Sequence, residues 1–389
     1  MKTNCTNRVY LDNAATTRVD PLVLEEMYRC EKQYGGVATQ MHSAGREARR
    51  VLSTSRARIA RCLGVREEEI VFTSGATEAN NIALLGAARS YNRQGNHIIT
   101  SRIEHPSVLG TCEALEEQGF TVTRLPVSEE GLIDPEDVAR AINDKTILIS
   151  LILAEGETGA ILPVRDIADI VRSRGIAFHT DAAQAAGKIP VHPADMGVDL
   201  LSLSAHKFHG PKGLGALYVR SGTRMTPTTY SGPGPSALRP GTMNLAACAG
   251  MARALELATD NLQDNLSHVT SLRDRLLEGI LSLGCNVRLN GPKNDTLRLA
   301  GNLCLGFEGM EAEALLLNLD MAGVCVGAGN PCVSGALEAS HVLLAMGLSR
   351  SDTLSSIRFS LARDNTITDV KLAVKTLGAV VHQLRSVAV

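Results

Sequence analysis

The rhythm of apolar residues constrains this chain more than any other feature. From about residue 69 onward, short apolar runs alternate with amphipathic ones, beginning with EIVFTSG, ATEANNIALLGAARSYN, NHIITS, PSVLGTCEALEEQG and FTVTRLPV. Short runs rich in β-branched residues read as strands, and apolar positions three and four apart read as helices. The alternation continues through TILISLIL, the helical VRDIADIVRSRG, then IAFHTDAAQ, VDLLSLSAHK and GALYVRS. Strands separated by helices pair in parallel when helices cover both faces, so the expected fold class is α/β with a mostly parallel sheet. A Gly/Pro-rich stretch, YSGPGPSALRPGT, leads into a long helical segment, followed by NLCLGF, helical EAEALLLNLD and a terminal helix. We therefore expect a large α/β domain over residues 16–260 and a small α+β unit made of residues 1–15 and 261–389. A length of 389 residues agrees with two or three domains at about 150 residues each.

Charge narrows the ligands. With 39 basic and 41 acidic residues the net charge is −2, and no run of lysine and arginine forms a stripe for nucleic acid or a patch for membranes. Small-molecule substrates are expected instead. The N-terminal MKTNCTNRVYLDNAATT lacks the apolar core of a signal peptide, and no apolar stretch nears the ~20 residues that span a bilayer, which points to the cytoplasm. Nine cysteines, an odd count without a CxxC pair, argue for reduced thiols rather than a disulfide framework or compact zinc site. No metal-ligand cluster is visible.

In open α/β sheets ligands bind at the carboxyl ends of strands, so side chains that follow apolar runs carry the interest. SLSAHKFHGPKG sets Lys207 after a strand, beside Ser204, His206 and glycines. A lysine desolvated there can form a Schiff base with a carbonyl such as that of pyridoxal phosphate (PLP); the plain alternative is a surface lysine at a strand end. PLP needs an acid on its pyridine nitrogen, and IAFHTDAAQ offers Asp181, whose plain role would be to cap a helix over AAQAAG. A phosphate suits a helix N-terminus, and in FTSGATEANN residues Gly75, Ala76 and Thr77 lead from strand to helix. IEHPSV sets His105 after a further strand, where an imidazole can stack on the pyridine ring or simply be an ordinary histidine.

Taken together, YLDNAATT, SGATEANN, SRIEHPSVL, HTDAAQ, SAHKFHGPKG, RPGT and SSIRFSLAR, in this order over nearly the whole chain, resemble the cysteine desulfurases of the class V aminotransferase family, the NifS/IscS type. The resemblance implies PLP-dependent transferase fold type I and an active homodimer. It also implies that Lys207 is the imine lysine, Asp181 the pyridine partner, His105 the stacking residue and Gln184 a neighbour of the cofactor phenolic oxygen. Thr77, Ser204 and His206 would form the phosphate cup, with Thr242 reaching in from the second subunit. Arg358 would bind the substrate carboxylate, a task suited to a planar guanidinium.

In CVGAGNPCVSGALEASHV, Cys332 aligns with the family's catalytic cysteine; Cys325, the other aligned choice, lies in an apolar GVCV run and reads as core. The reaction implied is removal of the L-cysteine α-proton by Lys207, attack of the Cys332 thiolate on the substrate sulfur, and release of alanine from a persulfide destined for an acceptor protein. A second reading keeps PLP but assigns another reaction, that of a β-lyase, aminotransferase or epimerase, with Cys332 incidental. A third is a non-catalytic partner that retains the fold. The sequence departs from the family where LAEGETG puts Glu155 and Gly156 in place of two asparagines. A glutamate at 155 cannot donate to the phenolic oxygen unless protonated, so Glu155 is expected to face the substrate and alter the cofactor's electronics. VATQ before His42, SGPGPSAL before RPGT, and Gly-Ala and Asn-Pro in the cysteine loop are further departures, all at the expected substrate entrance.

Overall fold

The computed structural model describes residues 8–231, 238–329 and 338–387. After the short strand β1 (Val9–Tyr10) and helices Pro21–Gln33 and Ser43–Leu63, the strands β2 (Ile70–Thr73), β3 (His97–Ser101), β4 (Thr121–Leu125), β5 (Thr146–Ile152), β6 (Ala177–Asp181), β7 (Leu200–Ser204) and β8 (Gly215–Val219) form one sheet. Its order is β2-β8-β7-β6-β5-β3-β4. The contiguous strands β7, β6, β5, β3 and β4 run parallel, as the strand and helix rhythm predicts. β8 runs against both of its neighbours. The reason is local: Ala205–Leu214 holds only a 3-10 turn, and a parallel return needs a crossover of a dozen or more residues.

Alternation along the strands sorts the core onto two faces. Ile98, Leu148, Leu200 and Leu217 point to one side, where they meet Ala83, Ala87, Val108 and Leu115 from helices Ala76–Tyr91 and Pro106–Glu116. Ile99, Ile149, Leu201 and Ala216 point to the other, against Ile167 and Val171 of helix Val164–Arg172 and against helix Leu245–Asp260. Every residue of β5 is therefore buried. Each large aliphatic side chain so enclosed contributes roughly 1.5–3 kcal/mol.

A second core gathers around an antiparallel sheet of β9 (Val287–Asn290), β10 (Asn302–Phe307) and β12 (Ser356–Ser360), in the order β12-β10-β9. Leu303, Leu305, Ile357 and Phe359 pack there against Leu272, Leu276, Leu315, Leu377 and Val381 from three helices. Val9 and Leu11 belong to this second core, and β1 pairs in parallel with β11 (Val324–Cys325). The N-terminal strand thus reaches the second core, and the residues after it, Asp12 to Thr17, run along the edge between the two sheets. Among the described residues no helix is long and apolar enough to cross a membrane.

Candidate active site

Strand β7 is buried throughout and ends in the 3-10 turn Ala205–Lys207, which projects Lys207 toward the N-terminal segment. Its Nζ donates to the carbonyls of Ala14 (2.6 Å) and Ala15 (2.9 Å). Burial, and next the Arg358 guanidinium, push this amine down to about 8, against the opposing pull of Asp181 and Asp12. A lysine in that state offers an appreciable neutral fraction near pH 7, as imine formation requires.

Asp181 closes β6, the strand beside β7, and is buried. Its Oδ1 accepts from the Ala183 N–H (2.9 Å) and its Oδ2 from Asn80 Nδ2 (2.7 Å). The helix that the sequence suggested over AAQAAG does not form: the segment is a series of turns, and Asp181 closes the first of them. Gln184, on these turns, donates through Nε2 to the Ala14 carbonyl (2.8 Å), the same oxygen that Lys207 uses. Lys188 donates to Gln184 Oε1 (2.9 Å) and so fixes which end of the amide faces the cleft. Sequence reasoning missed Lys188; its signal was a lysine set between apolar neighbours in AAGKIP, and burial pushes its amine down to about 7.

His105 caps helix Pro106–Glu116, its Nδ1 accepting from the Ser107 N–H at 3.1 Å. Its ring is open to the cleft, yet the surrounding protein desolvates it enough to lower its pKa. Helix Ala76–Tyr91 starts at Gly75, which has no side chain to close the first turn, so Ala76 and Thr77 present main-chain N–H groups. The end of β7 lies against this start. A Cβ on Gly215, the partner of Ser204 in the ladder, would sit 2.6 Å from Gly75 Cα, and only glycine permits that approach. Ser204 is thereby brought to the helix N-terminus. His206 Nδ1 pairs with Thr16 Oγ1 (3.0 Å), and burial with the nearby Lys207 pushes its imidazole down to about 4. Thr242 is exposed; in its segment Arg239 pairs with Glu78 of the same helix at 3.0 Å.

The opposite wall comes from β12. Arg358 is 8 % exposed; it pairs with Asp12 (2.7 Å), donates to the Gly156 carbonyl (3.2 Å), and its Nε has no partner among the described residues. Glu155 departs from expectation. Its two oxygens accept from the Glu157 N–H (2.7 Å), the Thr158 N–H (2.7 Å) and the Thr158 hydroxyl (2.8 Å), so the carboxylate turns into its own loop rather than toward a ligand. The cause is that a carboxylate two and three residues before free N–H groups is satisfied at once by them. Gly156 faces inward instead, and a Cβ there would come within 2.8 Å of Gln184 Nε2. Cys332, with Asn330 and Pro331, lies outside the described residues. Gly329, just before that stretch, and Ser340, a little beyond it, both adjoin Glu157, whose Oε2 accepts from the Ser340 hydroxyl. Cys325 is a poor nucleophile: burial and the adjacent Asp320 raise its thiol pKa.

The strand ends thus bring together Lys207, Asp181, Gln184, His105, Ser204 and Thr77, with Arg358 across the cleft. The sequence model of the family described as Aminotransferase class-V matches residues 9–372. A protein of Clostridium botulinum named "Cysteine desulfurase IscS" is 40% identical over 381 residues, covering 98% of this chain and 96% of its own. One of the same name from Dictyoglomus turgidum is 42% identical, again covering 98% of this chain and 96% of its own. A solved structure described as a NifS-like protein superposes with a TM-score of 0.91 at 36% identity, covering 97% of this chain and 100% of the solved one.

Proposed function

The chain belongs to the aminotransferase class-V family, and from that membership we propose that it is a PLP-dependent cysteine desulfurase, which takes sulfur from L-cysteine and yields L-alanine. The observation that carries the reading is the convergence of the Lys207 amine and the Gln184 amide on one carbonyl, Ala14, beside the strand end that bears Asp181.

These residues fit the cofactor. Lys207 would hold its aldehyde carbon, Asp181 its pyridine nitrogen, His105 the ring face and Gln184 the phenolic oxygen. The main chain at Ala76 and Thr77, with Ser204 and His206, would hold the phosphate through neutral donors and a helix N-terminus. The cofactor, when bound, supplies a covalent anchor and an electron sink for the substrate's α-carbon. Every remaining task falls to the chain. Lys207 Nζ, with its lowered pKa, takes the α-proton. Arg358, whose Nε has no partner among the described residues, receives the substrate carboxylate. The Cys332 thiolate forms a bond to the substrate sulfur as its carbon–sulfur bond breaks; the sulfur stays on Cys332 as a persulfide and the carbon skeleton leaves as alanine. The raised thiol pKa of Cys325 supports Cys332 for that role. Glu155 is left out, because its oxygens are already committed within its loop.

The reading includes an acceptor protein for the sulfur and a homodimer, in which the exposed Thr242 serves the neighbouring subunit's phosphate cup. It assigns the chain to the cytosol, where thiols stay reduced, in keeping with the seven unpaired cysteines among the described residues. It divides the chain into residues 16–260 and a unit of 1–15 with 261–389; the second core supports this division, while Leu299, Cys304, Val342, Leu343 and Met346 of the later unit pack into the first core. The test is a single turnover: PLP-loaded protein receives equimolar L-cysteine without reductant, and peptide mass mapping follows. One added sulfur atom on the Cys332 peptide with free alanine is expected. Pyruvate and ammonia with no adduct would make it a β-lyase.

A further inference from the structure

Behind His105 runs a chain of hydrogen bonds that the reaction above does not use. Asn80, on helix Ala76–Tyr91, is fully buried, and its Nδ2 donates both to Asp181 Oδ2 (2.7 Å) and to Ser107 Oγ (2.9 Å). Ser107 Oγ in turn lies 2.7 Å from His105 Nδ1, and the Ser107 N–H points at the same nitrogen from 3.1 Å. The backbone N–H fixes the proton positions. A hydrogen on Nδ1 would collide with it, so Nδ1 is an acceptor, the Ser107 hydroxyl donates to it, and that hydroxyl's oxygen accepts from Asn80. The imidazole proton then sits on Nε2.

We propose that Asn80 and Ser107 are positioning residues that hold His105 as the neutral Nε2–H tautomer and tie its orientation to Asp181. Two donors on one lone pair favour the neutral ring, because an imidazolium has no lone pair to accept them. The charged and titratable groups around the ring are Asp181 on β6, Lys207 after β7 and His341 on helix His341–Ala345; Asp181 favours the cation, Lys207 and His341 oppose it. His341 is itself anchored, its Nε2 3.0 Å from the Glu104 carbonyl. Burial disfavours the cation and Asp181 favours it, and the relay acts in the same direction as burial. The consequence is a ring that presents its Nε2–H to the cleft while its Nδ1 lone pair is taken up by Ser107, with its plane set by Ser107, Asn80 and Asp181 from two helices and β6.

The inference rests on the proposed role of His105 but is tested without turnover. In protein selectively labelled with imidazole-15N histidine and free of PLP, the His105 nitrogens are followed by NMR from pH 5 to 9 in wild type, Ser107→Ala, Ser107→Thr and Asn80→Ala. Wild type should show the Nε2–H tautomer alone at high pH. Ser107→Ala should raise the His105 pKa by about half to one pH unit, the shift that one lost neutral hydrogen bond is worth, and admit some Nδ1–H form. Ser107→Thr should restore the wild-type signal, and the Ser107→Ala and Asn80→Ala effects should combine less than additively. A proton on Nδ1 in wild type, or a His105 pKa and tautomer unchanged in Ser107→Ala, overturns the proposal. Neither result depends on whether cysteine is the substrate, so a failure here is separable from failure of the desulfurase reading.

Discussion

The floor and the rim of the cleft are built in different ways. On the floor, Lys207, Asp181, His105 and Gln184 each engage a main-chain group at or near a strand end: the Ala14 and Ala15 carbonyls, the Ala183 N–H, the Ser107 N–H and Ala14 again. On the rim, the loops are held by carboxylates: Asp12 on Arg358, Glu155 within its own turn, Glu157 on Ser340. Main-chain geometry follows from the sheet and leaves little freedom, whereas side-chain clasps can be exchanged for one another. The departures at Glu155 and Gly156 lie on this rim, whereas Lys207, Asp181, His105 and Gln184 lie on the floor.

Substitutions can break this contrast. Lys207→Ala should cause the largest loss, at least about 10³-fold in kcat by steady-state assay, since proton transfer by a positioned base is worth ~10²–10⁴. It should also abolish covalent attachment of PLP after borohydride reduction, read by protein mass; attachment and turnover surviving together would remove Lys207 from the floor. Arg358→Lys keeps the charge and loses the fork, and should lower kcat/KM for L-cysteine by about 10 to 100-fold, mostly through KM. An unchanged KM would mean that Arg358 only clasps Asp12. Glu155→Asn puts an amide among three donors and should cost about 1–3 kcal/mol in denaturant unfolding, while the pH titration of the PLP absorbance stays as in wild type. A shifted titration with unchanged stability would return Glu155 to the cofactor.

A pH test reaches a floor residue that the family motifs did not single out. Glu104 is fully buried, accepts from Ser101 Oγ (2.5 Å) and the Ile152 N–H (3.0 Å) on Oε1, and burial raises its pKa to about 8. Between the ordinary carboxyl value of 4.5 and about 8 the folded state therefore holds a proton that the unfolded state releases, and this contribution to stability is full at low pH and lost as pH rises through 8. Glu104→Gln mimics the protonated acid and should narrow the stability difference between pH 5 and pH 8 by about 3 kcal/mol. Parallel stability curves for the two proteins would show that Glu104 titrates normally.

The strand and helix alternation was legible because the sheet is covered on both faces, so β5 (TILISLI) and β7 (LLSLS) read as mostly apolar runs. Lys207, Asp181 and His105 were legible because each follows such a run. What stayed hidden depends on contacts distant in sequence. The reversed direction of β8 is set by the short turn at Ala205–Leu214; the turns over AAQAAG are held by Gln184 reaching back to Ala14 and by Lys188 donating to Gln184. Asn80 and Ser107 looked like ordinary helix residues until the fold brought two helix starts beside β6. The turn of Glu155 into its own loop has a local signature, a carboxylate placed just before the N–H groups of Glu157 and Thr158.

The most direct test of the desulfurase account is the yield of alanine and sulfide from L-cysteine, with a thiol reductant present, for PLP-loaded wild type and Cys332→Ala. The account predicts equal amounts of both products from wild type and neither from the variant at matched cofactor content. Wild type that binds the cofactor yet forms no alanine, or a variant that turns over like wild type, would contradict it.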